Sequence, residues 1–122
     1  PKCFDDKRKL EPNTWKYTSW ASKSKESKFF DSFKVYIIEC TDSNTGEHFF
    51  KIGKTYQTIY KRLTTSRLPY HYLIIDVYDF DNAKDCSKTE EYLKRINKEN
   101  KYLPKKHFNG EHECFSTITT HL

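Results

Sequence analysis

Two β-rich runs joined by a short polar segment do most to constrain this chain. Residues 33–40 and 48–53 are dominated by β-branched and aromatic side chains. Between them, residues 41–47 are polar and carry Asn44 and Gly46, which favour a chain reversal. The pair reads as an antiparallel hairpin. Side chains alternate along a strand, so Tyr36 and Ile38 share one face of the first strand and Lys51 and Gly53 share one face of the second. A third run, residues 72–80, is almost wholly apolar apart from Asp76 and Asp79. That composition predicts a central strand covered on both faces.

Helical periodicity fills the gaps. In residues 55–66, Tyr56, Tyr60 and Leu63 recur at helical spacing, and Ile59 pairs with Leu63. Asp81 and Asn82 offer a cap for a helix over residues 84–99. A basic loop over residues 100–110 contains Pro104, and residues 113–119 read as a short last strand. The order β-β-α-β-α-β predicts an α+β fold: a small mixed or antiparallel sheet flanked by helices. With 122 residues, one domain is expected. Residues 1–32 stand apart as an N-terminal basic, aromatic arm, leaving residues 33–122 as the domain proper. Trp15, Trp20, Phe29 and Phe30 lie in the arm among Lys and Ser with no clean period. The tryptophans are expected to anchor the arm on the core. A nucleic-acid clamp of basic and aromatic groups is the alternative.

Lys and Arg number 22 against 17 Asp and Glu, a net charge of +5. A basic surplus favours an anionic partner, nucleic acid or membrane surface, without choosing between them. No apolar run approaches the roughly 18 residues of a membrane-crossing helix. No signal-peptide pattern stands at the start, so a cytoplasmic protein is expected. Pro1 is not a translational start, which implies residues upstream. Cys3, Cys40, Cys86 and Cys114 form no closely spaced pair and read as reduced thiols rather than zinc ligands. Abundant Lys, Asn, Tyr, Phe and Ile, with little Ala or Gly, fit an AT-rich genome such as that of a phage; the location would then be the host cytoplasm.

Two adjacent carboxylates carry the chemical signal. On a helix, Glu90 shares a face with Cys86, Leu93 and Asn97, the apolar side. Glu91 shares one with Lys88, Lys94, Arg95 and Lys98, where solvated ion pairs explain it. An inward carboxylate must be paired or bind a metal, because desolvation is otherwise costly. A buried pair of Glu90 with Lys51 or Arg62 is the competing reading. Arg62 borders the apolar face of the first helix, and its planar fork suits a phosphate. Lys61 and Arg67 read as solvated charges. His107, His112 and Cys114 match no zinc-finger spacing, and the glycines are too sparse for a phosphate-binding loop.

Lys34-Val35-Tyr36, Lys51-Ile52-Gly53-Lys54-Thr55, Lys61-Arg62-Leu63 and Glu90-Glu91-Tyr92-Leu93, in that order, resemble the GIY-YIG nuclease superfamily, in a phage-rich branch with Lys-Ile-Gly in the second motif half. The resemblance covers about residues 33–118. It implies a metal-dependent DNA endonuclease. Tyr36 would be the general base, Arg62 would face the scissile phosphate, and Glu90 would hold one Mg²⁺ or Mn²⁺ ion. Gly53 would turn the chain into the helix. Glu113-Cys114-Phe115 is similar to the closing Glu-Trp-Phe strand of that branch, with Cys114 in place of tryptophan.

The departures from the pattern define further expectations. Lys51 replaces the second tyrosine; beside Tyr36 it would favour the phenolate and hold water or phosphate. Ser66 stands where relatives carry His or Tyr one turn after the arginine, leaving Tyr70, His71 and Tyr72 as substitutes. Lys54, Arg67, His71, Lys105 and Lys106 are the expected DNA contacts. The main alternative is a catalytically inactive nucleic-acid-binding module on the same fold. Another is a protein-interaction module that uses the aromatic arm.

Overall fold

The computed structural model describes the backbone of residues 14–120 and the side chains of residues 20–120; Cys3, the Trp15 side chain and the start of the N-terminal arm lie outside the described residues. The hairpin forms as its sequence predicts. Strand β1 (Phe33–Thr41) pairs antiparallel with β2 (His48–Thr55), with Tyr36 opposite Gly53 and Ile38 opposite Lys51. Gly46, at φ 76°, makes the reversal between them. Strand β3 (His71–Phe80) joins the other side of β1, and the two-residue β4 (Cys114–Phe115) joins β2. The order is β3-β1-β2-β4, and every pairing is antiparallel.

Three α-helices are described: α1 (Thr14–Glu26), α2 (Ile59–Ser66) and α3 (Ala83–Ile96). Each of the last two starts at a side-chain cap. Thr58 accepts from the Lys61 N–H at 3.2 Å, and Asn82 accepts from the Asp85 N–H at 2.8 Å. Short 3₁₀ turns, Lys98–Asn100 and Glu111–Glu113, complete the element order. Among the described residues no helix is long and apolar enough to cross a membrane.

The sheet is covered on both faces. Tyr36, Ile38, Cys40 and Phe49 pack with Ile59 and Leu63 of α2. Phe33, Val35, Ile37 and Ile52 pack with Ala83, Cys86 and Leu93 of α3, and Trp20 of α1 packs against that cluster. Complete burial of such an aliphatic side chain contributes roughly 1.5–3 kcal/mol each. Asn97 is also buried, but every polar atom of its amide is used. It donates to the carbonyls of Leu93 (2.8 Å) and Thr119 (2.9 Å), and its oxygen accepts from the Thr119 N–H at 2.7 Å.

Several sequence expectations need correction. The apolar third strand is an edge strand: Leu73, Ile74, Ile75 and Val77 are exposed by 66, 51, 48 and 40%. The interior strands are β1 and β2, and the polar Lys34 and Glu39 disguised the position of β1. Lys34 is buried because its ammonium finds Asp31 Oδ2 (2.5 Å) and the carbonyls of Ser32 and Gln57 (both 3.1 Å). Glu39 pairs with His48 at 2.5 Å. The register of β1 against β3 shifts at Ile37/Ile38, so Ile75 is an extra residue, a bulge of the kind that protects an edge.

Helix α2 begins at Ile59 rather than at residue 55, which leaves Tyr56 before the helix and Tyr60 on its exposed side. The expected last strand is reduced to β4, preceded by a 3₁₀ turn. Gly53 does not turn the chain; it lies inside β2.

Candidate active site

Gly53 serves a close approach instead. A Cβ there would sit 2.4 Å from Tyr36 Oη and 2.8 Å from Lys51 Nζ. The bare backbone at Gly53 therefore leaves room for a phenol and an amine to meet over the hairpin. Lys51 Nζ donates to Tyr36 Oη at 2.9 Å, with both side chains fully buried. The same amine lies 3.4 Å from Glu113 Oε1. Gly110, at φ 106°, closes over it, since a Cβ there would come within 2.8 Å of Lys51 Cε. Burial opposes the Lys51 charge, but Tyr36 and Glu113 outweigh that and hold its pKa above the ordinary value.

The remaining groups meet in a cleft of about 330 Å³. It is lined by Arg62 and Thr65 of α2, Glu90 of α3 and Glu113. Lys54, Thr55, Tyr56 and Gln57 follow from the end of β2, and Trp20 comes from α1. The Trp20 ring lies 5.2 Å from Phe33 and 6.3 Å from Tyr56 between centroids, and the Lys54 amine sits 4.4 Å above it. Lys54 also donates to Ser87 Oγ at 2.9 Å. Trp20 thus anchors its helix on the core and forms part of the cleft wall.

Glu90 is buried, as its helix face predicts. Its partner is neither Lys51 nor Arg62 but Lys94, one turn on, at 3.2 Å. Lys94 also binds Glu113 Oε2. Burial, reinforced by the nearby Glu113 charge, raises the Glu90 pKa despite Lys94 and Lys54. For Glu113 the balance falls the other way. Burial would raise its pKa, but the Lys51 and Lys94 ammoniums bring it below the usual carboxylate value.

The expected DNA contacts divide into two places. Lys54 belongs to the cleft. Arg67 caps α2 in the left-handed conformation at φ 57° and is exposed. His71 and Lys106 border a separate depression beside the hairpin turn. There Lys106 forms an ion pair with Asp42 at 2.8 Å. The Lys105 N–H donates to Glu47 at 2.9 Å.

None of the three proposed substitutes for the residue at Ser66 lines the cleft. Tyr70 donates to Glu47 at 2.6 Å, His71 lies at that other depression, and Tyr72 packs beside the α2 cluster. Tyr56 is the phenol on the cleft wall. Sequence reasoning singled out neither Tyr56 nor Glu113 as a site residue. The placement of Lys94 at i+4 from Glu90 was the available signal for the acidic pair's neighbourhood.

Among the described residues, no group of three or more His, Cys, Asp and Glu side chains could hold an ion. Cys114 is buried in the core, and burial pushes the thiols of Cys40, Cys86 and Cys114 up to about 12, which leaves them unreactive.

The T5orf172 domain, as a family model, matches residues 34–120. The chain belongs to the T5orf172 domain family. This phage-associated family is related to nuclease-type folds. Nothing matches among curated proteins, and nothing matches among solved structures. The matched T5orf172 segment contains Tyr36, Lys51, Arg62, Glu90, Lys94 and Glu113. Trp20 lies before it, so α1 adds a wall to the cleft from outside the T5orf172 domain proper.

Proposed function

We propose that this T5orf172 domain is a DNA endonuclease of the GIY-YIG type that hydrolyses phosphodiester bonds with one divalent metal ion. The observation that carries the reading is a cleft lined by a phosphate-suited arginine and a buried carboxylate, with the buried Tyr36–Lys51 pair outside its lining and linked to it through the Lys51 contact with Glu113. Oxygen donors suit Mg²⁺ or Mn²⁺. Magnesium keeps several waters, so few protein ligands suffice, and the Glu90 and Glu113 carboxylates on the cleft wall fit it. Glu90 would hold the ion, which would supply Lewis-acid stabilisation of the phosphate oxygens.

The chain's own groups divide the remaining work. Tyr36 accepts the proton of the attacking water as general base, and the ammonium of Lys51 stabilises the phenolate that this role requires. Arg62 neutralises charge that grows on the phosphoryl oxygens, held in place before the reaction begins. Lys54 and the exposed Arg67 bind backbone phosphates and set the strand's register without reading sequence. Lys105, Lys106 and His71 would form a second contact region near the hairpin turn. Such a protein would act in the host cytoplasm if phage-encoded.

A specific observation favours a second reading, a nucleic-acid-binding module without catalysis. The Lys94 ammonium already neutralises both carboxylates. Incubation with supercoiled plasmid and Mg²⁺, with and without EDTA, separates the two. The nuclease reading expects metal-dependent nicking that Glu90→Gln abolishes. Retention of DNA with no cleavage under any metal condition supports the binding module.

A further inference from the structure

Lys94 reaches across from α3 to a carboxylate that sequence reasoning left unassigned. Its ammonium lies 3.2 Å from Glu90 Oε2 and also contacts Glu113 Oε2. The other oxygen of Glu113 faces Lys51 Nζ at 3.4 Å. One cation therefore stands between two carboxylates on the wall of the cleft, at the place where a divalent ion would be held. Of the three side chains, that of Glu90 is only 7% exposed, whereas Lys94 and Glu113 are 29 and 28% exposed. Lysine has a long flexible stem and a strongly hydrated head, so it can leave for solvent without repacking the core.

We infer that Glu113 is a second carboxylate of the metal site and that Lys94 is an internal stand-in for the metal, displaced when the ion enters. This rests on the proposal that Glu90 holds a divalent ion. The physical argument is charge balance. Two carboxylates facing one partly buried cleft repel each other unless a cation lies between them. In the metal-free protein the Lys94 ammonium is that cation. A divalent ion brings more charge to the same oxygens and can bind Glu113 directly or through one of its waters. The lysine then weakens metal binding, because its own ion pairs must break first. It also keeps the empty site intact, and Lys51 holds Glu113 in place throughout.

The test is calorimetric titration of MnCl₂ into the whole chain and into Lys94→Met, Lys94→Gln and Glu113→Gln. It is paired with NMR of ¹³C-methylated lysines during a Mg²⁺ titration of the wild type. The inference expects both Lys94 variants to bind Mn²⁺ about tenfold more tightly, the scale of one charge-assisted hydrogen bond. Glu113→Gln should bind about tenfold more weakly, and the Lys94 resonance should move as Mg²⁺ saturates. Should the lysine variants not fold, the wild-type resonance decides. Equal Mn²⁺ affinity in wild type and the Lys94 variants, or a Lys94 signal unmoved at saturation, overturns the displacement. Unchanged affinity in Glu113→Gln overturns the second ligand. Either result leaves the Glu90 reading standing. Absence of Mn²⁺ binding in every protein overturns the inference and the metal reading together.

Discussion

Lys51 Nζ lies 2.9 Å from Tyr36 Oη and 4.9 Å from the centre of the same ring, inside the protein rather than on its surface. A buried amine in that position either activates the phenol or merely fills space with its stem. Lys51→Met keeps the stem and removes the charge. Cleavage is expected to fall about a hundredfold or more, the usual effect of losing a preorganised donor. Rates on supercoiled plasmid check this, and a near-normal rate would place Lys51 among the packing residues.

Arg62 and Arg67 are close in sequence but not in role. Arg62 lines the cleft, while Arg67 ends α2 in an exposed left-handed cap. Arg62→Ala should lower the cleavage rate by about two orders of magnitude. Arg67→Ala should weaken DNA binding slightly and flatten its salt dependence by about 0.9 in log–log slope for each phosphate the protein no longer neutralises. Equal rate losses from both substitutions would mean that general basicity matters, not an arginine aimed at phosphate.

Gly53→Ala places a methyl group 2.4 Å from Tyr36 Oη unless the ring moves. The strand backbone there is ordinary, so the strain falls on the phenol and the lysine. Over-packing of this kind costs about 1–3 kcal/mol. Activity should fall much further than stability, because the displaced atoms are the proposed base and its partner. Thermal melting beside a cleavage assay separates the two effects, and a full loss of folding with no active fraction would count against this reading.

Glu47 fastens the hairpin turn to the loop before β4. It accepts hydrogen bonds from Tyr70 and Tyr102, each at 2.6 Å, and from the Lys105 N–H at 2.9 Å. Burial would raise its pKa, but the Tyr102, Tyr70 and Lys105 donors bring it below the usual glutamate value. The two phenols move up to about 12, Tyr70 mainly by burial and Tyr102 mainly by its bond to Glu47. A carboxylate held low in the fold stabilises it above the unfolded-state value, near 4.3. That contribution disappears as pH falls through the lower folded-state value. Glu47→Gln should lose about 1–3 kcal/mol at neutral pH. Its stability should also depend less on pH across the acid range. Denaturant melts at pH 7 and at pH 3 measure the difference.

The hairpin and the Glu90 helix were legible because both follow from local periodicity. Strand alternation placed Lys51 beside Gly53, and helix spacing turned Glu90 inward. Position within the sheet was not legible. Residues 73–77 are more apolar than the centre of a sheet requires, yet they lie at its edge, while Lys34 is buried in β1 through three partners distant or local in sequence. Glu113 was hidden for a different reason. Its role depends on two lysines from separate elements, Lys51 and Lys94, which no spacing rule brings together. Helix spacing alone assigned Lys94 to the neighbours of Glu91, although it is equally one turn from Glu90.

The central claim is metal-dependent cleavage through Glu90, and a nicking assay with matched DNA-binding measurements tests it most directly. Wild-type protein and Glu90→Gln are incubated with supercoiled plasmid in Mg²⁺ and in EDTA, and retention of the same DNA is measured for each. The account predicts nicking by the wild type in Mg²⁺ alone, with binding but no nicking by Glu90→Gln. Nicking by Glu90→Gln at the wild-type rate, or undiminished wild-type nicking in EDTA, would contradict it.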